Sequence, residues 1–302
     1  MKKKTYLGLL ALVAVVAVAW TIQARSEKTP RSLYVFEFGG LEHLEAEGSA
    51  ELVSGLGYSG IAVHARGDAG RERLDTYHEW SRRSEGDFKV EAAFMSHRFD
   101  RVGLSDTELK AAIDRMEGNG GRVWVWLRDA KPDGRFTAKV LEDFIVGIAD
   151  YAQTKGVEVV IYPHYDTFFD TTDDALDFLE KVDHPSLSTA INLCHELIAD
   201  KGDVLEQTFE RAKGRISAIM ISGALTEVDR SSAKGKSGST ILSLDESVYD
   251  LRPYMRLIKE SGFEGPIAFI NFNLQNPADH LERSMIRWKE LCEEIGLYEL
   301  DG

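Results

Sequence analysis

Two stretches near the middle of the chain, VEVVIYPHYDTFF (157–169) and LSTAINLCHEL (187–197), decide how the fold is read. Each is a short apolar run that stops on a polar cluster containing a histidine, His164 in the first and His195 in the second. The runs are apolar nearly throughout and do not alternate, which is how strands buried on both faces read. Between them DDALDFLEKV (173–182) carries the helical period. Two buried strands joined by a helix form a parallel pair, because parallel neighbours need a long crossover.

The same unit recurs outward in both directions. LYVFEF (33–38), GIAVHA (60–65), FKVEAAFMSH (88–97) and RVWVWLRD (122–129) read as strands on the N-terminal side. ISAIMISGA (216–224) and PIAFINFNL (266–274) read as strands on the C-terminal side. KVLEDFIVGIADYAQTKG (139–156) and HLERSMIRWKELCEEIG (280–296) are among the helices between and after them. Eight strand–helix units in a chain of 302 residues predict an α/β protein with a single (β/α)8 barrel over residues 25–302. Residues 65–87 and 225–248 look the least regular. The second contains DRSSAKGKSGST (229–240), expected to be a loop over the barrel mouth.

The first residues, MKKKTYLGLLALVAVVAVAWTIQARS, have a basic start at Lys2, Lys3 and Lys4, then an apolar run from Tyr6 to Ala19. Ala17-Val18-Ala19 has the small-x-small form of a cleavage site, so residues 1–24 are expected to be a signal peptide. The alternative is an N-terminal anchor, with Trp20 and Ile22 lengthening the run, and that would be the chain's one tie to a membrane. The expected destination is periplasmic or extracellular. The two cysteines, Cys194 and Cys292, make no disulfide framework. The net charge of −14, without a basic stripe, argues against a nucleic-acid partner.

Active sites of such barrels lie at the C-terminal strand ends. Those ends offer Glu37, His64, Arg66, His97, Arg98, Arg128, Asp129, Tyr162, His164, Asp166, Asn192, His195, Glu196, Ser222, Asn271 and Asn273. His164 and His195 end adjacent predicted strands and are expected to be neighbours. With Glu37 they are the candidate acid/base groups, since a histidine moves protons near neutral pH. Tyr162, Asn192, Arg128, His64, His97 and Asn271 are the candidate substrate-binding residues. Trp124 and Trp126 suit barrel packing or a face for a sugar ring.

Several segments together carry a family resemblance: IYPHYDTFFDTTDDALDFLEKVDHPSLSTAINLCHEL, then IMISGA, then GFEGPIAFINF followed by HLERSMIRWKEL. They resemble the sugar phosphate isomerase/epimerase family of xylose isomerase-like barrels, over most of residues 31–296. The YPH and NLCHEL forms resemble a secreted branch of it. The resemblance implies one divalent ion held by Glu, Asp, His and Glu on strands five to eight. Carried onto this chain, those positions hold Tyr162, Asn192, Met220 or Ser222, and Ile270. The implied metal site is therefore degenerate. A rebuilt one would draw on His164, His195 and Glu196. The expected function is an exported enzyme carrying out isomerisation, epimerisation or elimination on a saccharide or keto-sugar derivative. The alternative is an inactive barrel that binds carbohydrate or a protein partner.

Overall fold

The computed structural model describes residues 29–119, 121–128, 136–225 and 240–299. The expectations for residues 1–24, for Asp129 and for residues 226–239 of the mouth loop fall outside the described residues.

The barrel strands are β1 (Tyr34–Phe36), β2 (Gly60–His64), β3 (Lys89–Arg98), β4 (Arg122–Arg128), β5 (Glu158–Ile161), β6 (Leu187–Asn192), β7 (Ile216–Ile221) and β10 (Ile267–Ile270). They close in the order β1-β10-β7-β6-β5-β4-β3-β2. Every pairing around the ring is parallel. A small antiparallel pair, β8 (Gly223–Ala224) with β9 (Ile241–Leu242), stands above β7. The principal helices are α1 (Ala46–Gly55), α2 (Gly67–Arg83), α4 (Thr107–Met116), α5 (Ala138–Thr154), α6 (Thr172–Val182), α8 (Leu205–Ala212), α9 (Leu251–Ser261) and α10 (Pro277–Ile295). Short helices α3 (Phe99–Val102) and α7 (Leu193–Ile198) follow β3 and β6 directly. No helix among the described residues is long and apolar enough to cross a membrane.

Each strand serves two cores, which is why it reads as continuously apolar. Phe36, Phe94, Trp124, Tyr162, Met220 and Ile270 fill the barrel interior. Their neighbours Val35, Val125, Ile161, Ile219 and Phe269 pack outward against Leu74, Leu176, Tyr254 and Trp288 of the helices. At about 25 cal/mol per Å² of apolar surface, each such large side chain contributes roughly 2 kcal/mol.

Three local expectations are corrected. Residues 65–87 are not irregular: α2 runs for 17 residues there. Its surface is so charged that the buried stripe of Gly70, Leu74, Tyr77 and His78 is thin, although their spacing is helical. Gly70 is needed for close approach, since a Cβ there would fall 2.6 Å from the His64 carbonyl oxygen. The strand predicted to run to His195 ends at Asn192, and Leu193–Ile198 is helical, so Cys194 and His195 are helical residues. A short apolar run fits either conformation, and here Cys194 and Ile198, one helical turn apart, both face the interior. The strand predicted over 216–224 breaks after Ile221, and Gly223 and Ala224 leave the barrel to pair with β9.

Candidate active site at the barrel mouth

β5 delivers Tyr162, whose backbone N–H still bonds Val125 of β4, and Pro163 then ends the ladder because it has no N–H. Residues 164–169 fold into a closed loop: His164 N–H donates to the Phe169 carbonyl and Thr167 Oγ1 donates to the His164 carbonyl at 2.7 Å. The loop holds the His164 ring in place through Nδ1, which lies 2.9 Å from the Tyr165 carbonyl oxygen. A carbonyl only accepts, so Nδ1 carries the proton and Nε2 of the neutral ring carries a lone pair.

His195 arrives from α7, and its ring centroid stands 3.8 Å from that of His164. The two histidines expected to be neighbours are in contact. Behind His164 the Trp126 ring stacks at 3.9 Å, and the Arg128 guanidinium lies 4.2 Å over the Trp126 ring. Burial pushes His164 down to about 4, with Arg128 acting in the same sense and the bond to the Tyr165 carbonyl opposing. Burial, and then the adjacent His164, hold His195 well below the ordinary histidine value. Both rings are therefore neutral at physiological pH.

The floor beneath them is aromatic. Phe36 and Phe94 meet edge-on at 4.8 Å, and Phe94 meets Tyr162 at 5.2 Å. Asn192 Nδ2 donates to the Tyr162 hydroxyl at 2.7 Å, so these two expected binding residues form a unit. On the opposite wall the His64 ring packs edge-on against Phe38 at 4.6 Å. Its Nδ1 lies 2.5 Å from Glu42 Oε1, while Nε2 is buried without a partner. Glu42 was not a sequence candidate. It comes from the loop after β1, where no period places a side chain.

Four candidates lie elsewhere. Glu37, expected to be catalytic, points away from the interior: Oε1 accepts from Arg73 Nε at 2.9 Å and Tyr77 at 2.8 Å, and Oε2 from the His64 backbone at 3.2 Å. Burial raises its pKa and Arg73 opposes that. Such a carboxylate ties β1 to α2 and does not join the two histidines. His97, expected to bind substrate, sits on the outer face of β3, with Phe99 at 4.5 Å and Phe144 at 4.9 Å and with Nε2 3.0 Å from the Gly103 carbonyl. Asn271 also leaves the interior and packs on the backbone of Gly40, where an added Cβ would fall 2.3 Å from its Oδ1. Glu196, the expected third metal ligand, turns to the start of α6. Its Oε1 accepts from both the backbone N–H and the hydroxyl of Thr172 at 2.7 Å. Burial raises its pKa, and the two bonds from Thr172 oppose the rise. Strand alternation decides Glu37, His97 and Asn271, since each lies one residue from an inward neighbour.

The family model for xylose isomerase-like TIM barrels matches residues 51–291. The chain belongs to the xylose isomerase-like TIM barrel family. No curated protein matches it. Among solved structures it resembles the IolI protein with a bound zinc atom, at 17% identity and TM-score 0.68, covering 88% of this chain and 99% of that one. It resembles 3-keto-D-glucoside 4-epimerase YcjR from E. coli, at 12% identity and TM-score 0.65, covering 86% and 99%. It also resembles a xylose isomerase-like barrel from Mycobacterium smegmatis in complex with magnesium, at 17% identity and TM-score 0.57, covering 87% and 97%. These likenesses establish the shared fold.

Two of these relatives hold a divalent ion, and the residues at this mouth do not fit one. Among the described residues no three His, Cys, Asp or Glu side chains gather where they could hold a metal. His164 and His195 face each other, Tyr162 and Asn192 beside them bring no negative charge, and Asp166, which acts on His164 from the exposed loop, does not complete a three-ligand group. Glu196, the nearest carboxylate in sequence, is spent on Thr172.

Proposed function

We propose that this chain is an exported sugar-active enzyme whose His164 and His195 carry out acid/base isomerisation, epimerisation or elimination on a saccharide or keto-sugar derivative. The observation that carries the reading is the pair of neutral imidazoles, a half-buried His164 and a buried His195, in ring contact above an aromatic floor. A neutral imidazole accepts a proton at one nitrogen and donates at the other, as proton transfer next to a carbonyl requires. His164 Nε2 is positioned to take a proton from the carbon beside the carbonyl, and His195 to donate toward the carbonyl oxygen. Arg128, close to the stack, offsets the negative charge that develops on that oxygen. Delivery of a proton to the opposite face of the same carbon gives an epimer, delivery to its neighbour an isomer, and loss of a protonated β-hydroxyl as water an elimination product. Phe36, Phe94 and Tyr162 offer the apolar surface on which a sugar ring packs. The likeness to a keto-glucoside epimerase supports the substrate class. Export rests on the N-terminal segment, and sequencing the N-terminus of the secreted protein tests it.

The enzymatic reading is tested by NMR of keto-glucosides and hexoses incubated in D2O with protein stripped of metal. Deuterium should enter at the carbon beside the carbonyl, and His164→Ala or His195→Ala should abolish it. A second reading, saccharide binding without turnover, is favoured by Tyr162 and Asn192 standing where carboxylates are implied. Saturable binding of a sugar with no exchange in the unmodified protein would establish that second reading instead.

A further inference from the structure

The barrel mouth gathers buried polar groups that have no hydrogen-bond partner, donors and acceptors together. The Trp126 indole N–H, which can only donate, is buried without a partner, and so are His195 Nδ1 and the hydroxyls of Ser96 and Ser222. Ser96 lies two residues past Phe94, and Ser222 two past Met220, so both fall on the interior side. Asn192 and Tyr162 bond each other, which leaves the second Nδ2 hydrogen and the Tyr162 hydroxyl hydrogen as donors and Asn192 Oδ1 as an acceptor without a partner. All six residues are more than nine-tenths buried, from 0% exposure at Asn192 and Ser222 to 8% at Trp126. The rings join them into one surface: Trp126 on His164 at 3.9 Å, His164 on His195 at 3.8 Å, His195 beside Tyr162 at 6.2 Å.

Buried polar groups in native proteins are met by a partner, and a set this concentrated points to a ligand. A cation site is lined by acceptors alone, whereas this one carries the donor-only Trp126 N–H and has Arg128 at its edge. Of the carboxylates near the mouth, Glu42 is turned to His64 and to the Gly39 N–H, and Asp166 is exposed on the loop after β5. We propose that the mouth binds the carboxylate of a sugar acid, a uronate or aldonate, with its oxygens on the donors of Trp126, Tyr162 and Asn192. A carboxylate is acceptor-only, so it satisfies donors without adding more, which a sugar hydroxyl cannot do. The proposal rests on the saccharide reading above and narrows it to acidic sugars.

Calorimetric titration with glucuronate, galacturonate, glucose, galactose and glucose 6-phosphate at fixed ionic strength tests it. The uronates should bind about tenfold or more tighter than their neutral counterparts and tighter than the phosphate, in keeping with bonds to a charged acceptor. Trp126→Phe keeps the stacked ring and loses the donor. It should weaken uronate binding about fivefold and leave neutral sugars unchanged. Asn192→Asp should weaken uronate binding more than about tenfold by placing like charge against it. Thermal melts confirm that both variants fold. Equal affinity for neutral and acidic sugars, or unchanged uronate binding in both variants, would overturn the carboxylate assignment while leaving the saccharide reading intact. Tighter binding of the phosphate would replace a carboxylate by a phosphate ester. Failure of every sugar to bind would overturn both readings.

Discussion

The two ends of the barrel interior treat polar groups in opposite ways. At the N-terminal end Arg122 of β4 sits between two carboxylates, bonded to Glu91 and 3.2 Å from Glu158, and Ser217 also donates to Glu158. Burial raises the pKa of Glu91, and Arg122 opposes it. Apart from the Ser188 hydroxyl, the orphaned side-chain groups of the interior lie toward the other end: Trp124, Trp126, Ser96, Asn192, His195, His64 and Ser222. The first end is a closed ion-pair network that plugs the barrel. The second forgoes hydrogen bonds that a purely structural core would make. Polar pairing is completed at one end and left open at the other, which is the division expected when a protein gives up stability at a functional site.

That contrast yields predictions of decreasing size. The largest concerns the mouth: His164→Ala or His195→Ala should lower turnover by about 10²–10⁴-fold, the usual worth of a general acid or base. Stability should fall by about 2 kcal/mol in His195→Ala, the packing cost of a buried ring, with nothing added for a hydrogen bond because its Nδ1 has no partner to lose. Steady-state kinetics and urea denaturation of the same samples read both effects. A large stability loss with intact turnover would erase the distinction between the ends.

Next is the plug. Arg122→Ala leaves Glu91 and Glu158 without their cation and should cost about 3 kcal/mol of unfolding free energy while leaving ligand affinity unchanged. Denaturation and calorimetry decide it, and a shift in affinity would mean that the two ends are coupled.

A pH effect of comparable size comes third. His164 has a folded pKa of about 4, below the unfolded histidine value, so the unfolded chain binds more protons between the two. Its contribution is fully present above about pH 6.5 and is lost as pH falls toward 4. Relative to His164→Asn, the native chain should lose on the order of 3 kcal/mol between pH 6.5 and 4. The difference isolates His164 from Glu37, Glu91 and Glu196, whose raised pKa values act with the opposite sign. Parallel stability curves for the two proteins would show that His164 is not buried as described.

The smallest effect is expected at Glu196. Glu196→Gln keeps an acceptor for Thr172 and removes a buried carboxyl, so it should alter stability by less than about 1 kcal/mol and leave activity unchanged. A large loss of activity would return Glu196 to the site as a ligand.

Much of the barrel was legible in the residues, and the reason is physical. Strands buried on both faces must be apolar at every position, and VEVV, AIMI and IAFI say so locally. Adjacency of His164 and His195 followed from strand order alone. What was illegible depended on phase. Glu37, His97 and Asn271 sit one residue from inward-facing neighbours, and doubly apolar strands give no alternation from which to read the phase. The helical turn that carries His195 was hidden because LCHEL suits a strand end as well as a helix.

The sequence by itself determined the (β/α)8 architecture and the rim that holds the two histidines, because both follow from local apolar runs and their connection lengths. It also raised the expectation, from the resemblance, that Tyr162 and Asn192 stand in place of carboxylates. Only the tertiary structure decided which rim residues share a surface. Side-chain direction and ring contact depend on how strands tilt and loops close: the Trp126–His164–His195 stack, the Glu42 partner of His64 and the burial that keeps both imidazoles neutral arise between elements distant in sequence. No local period encodes them.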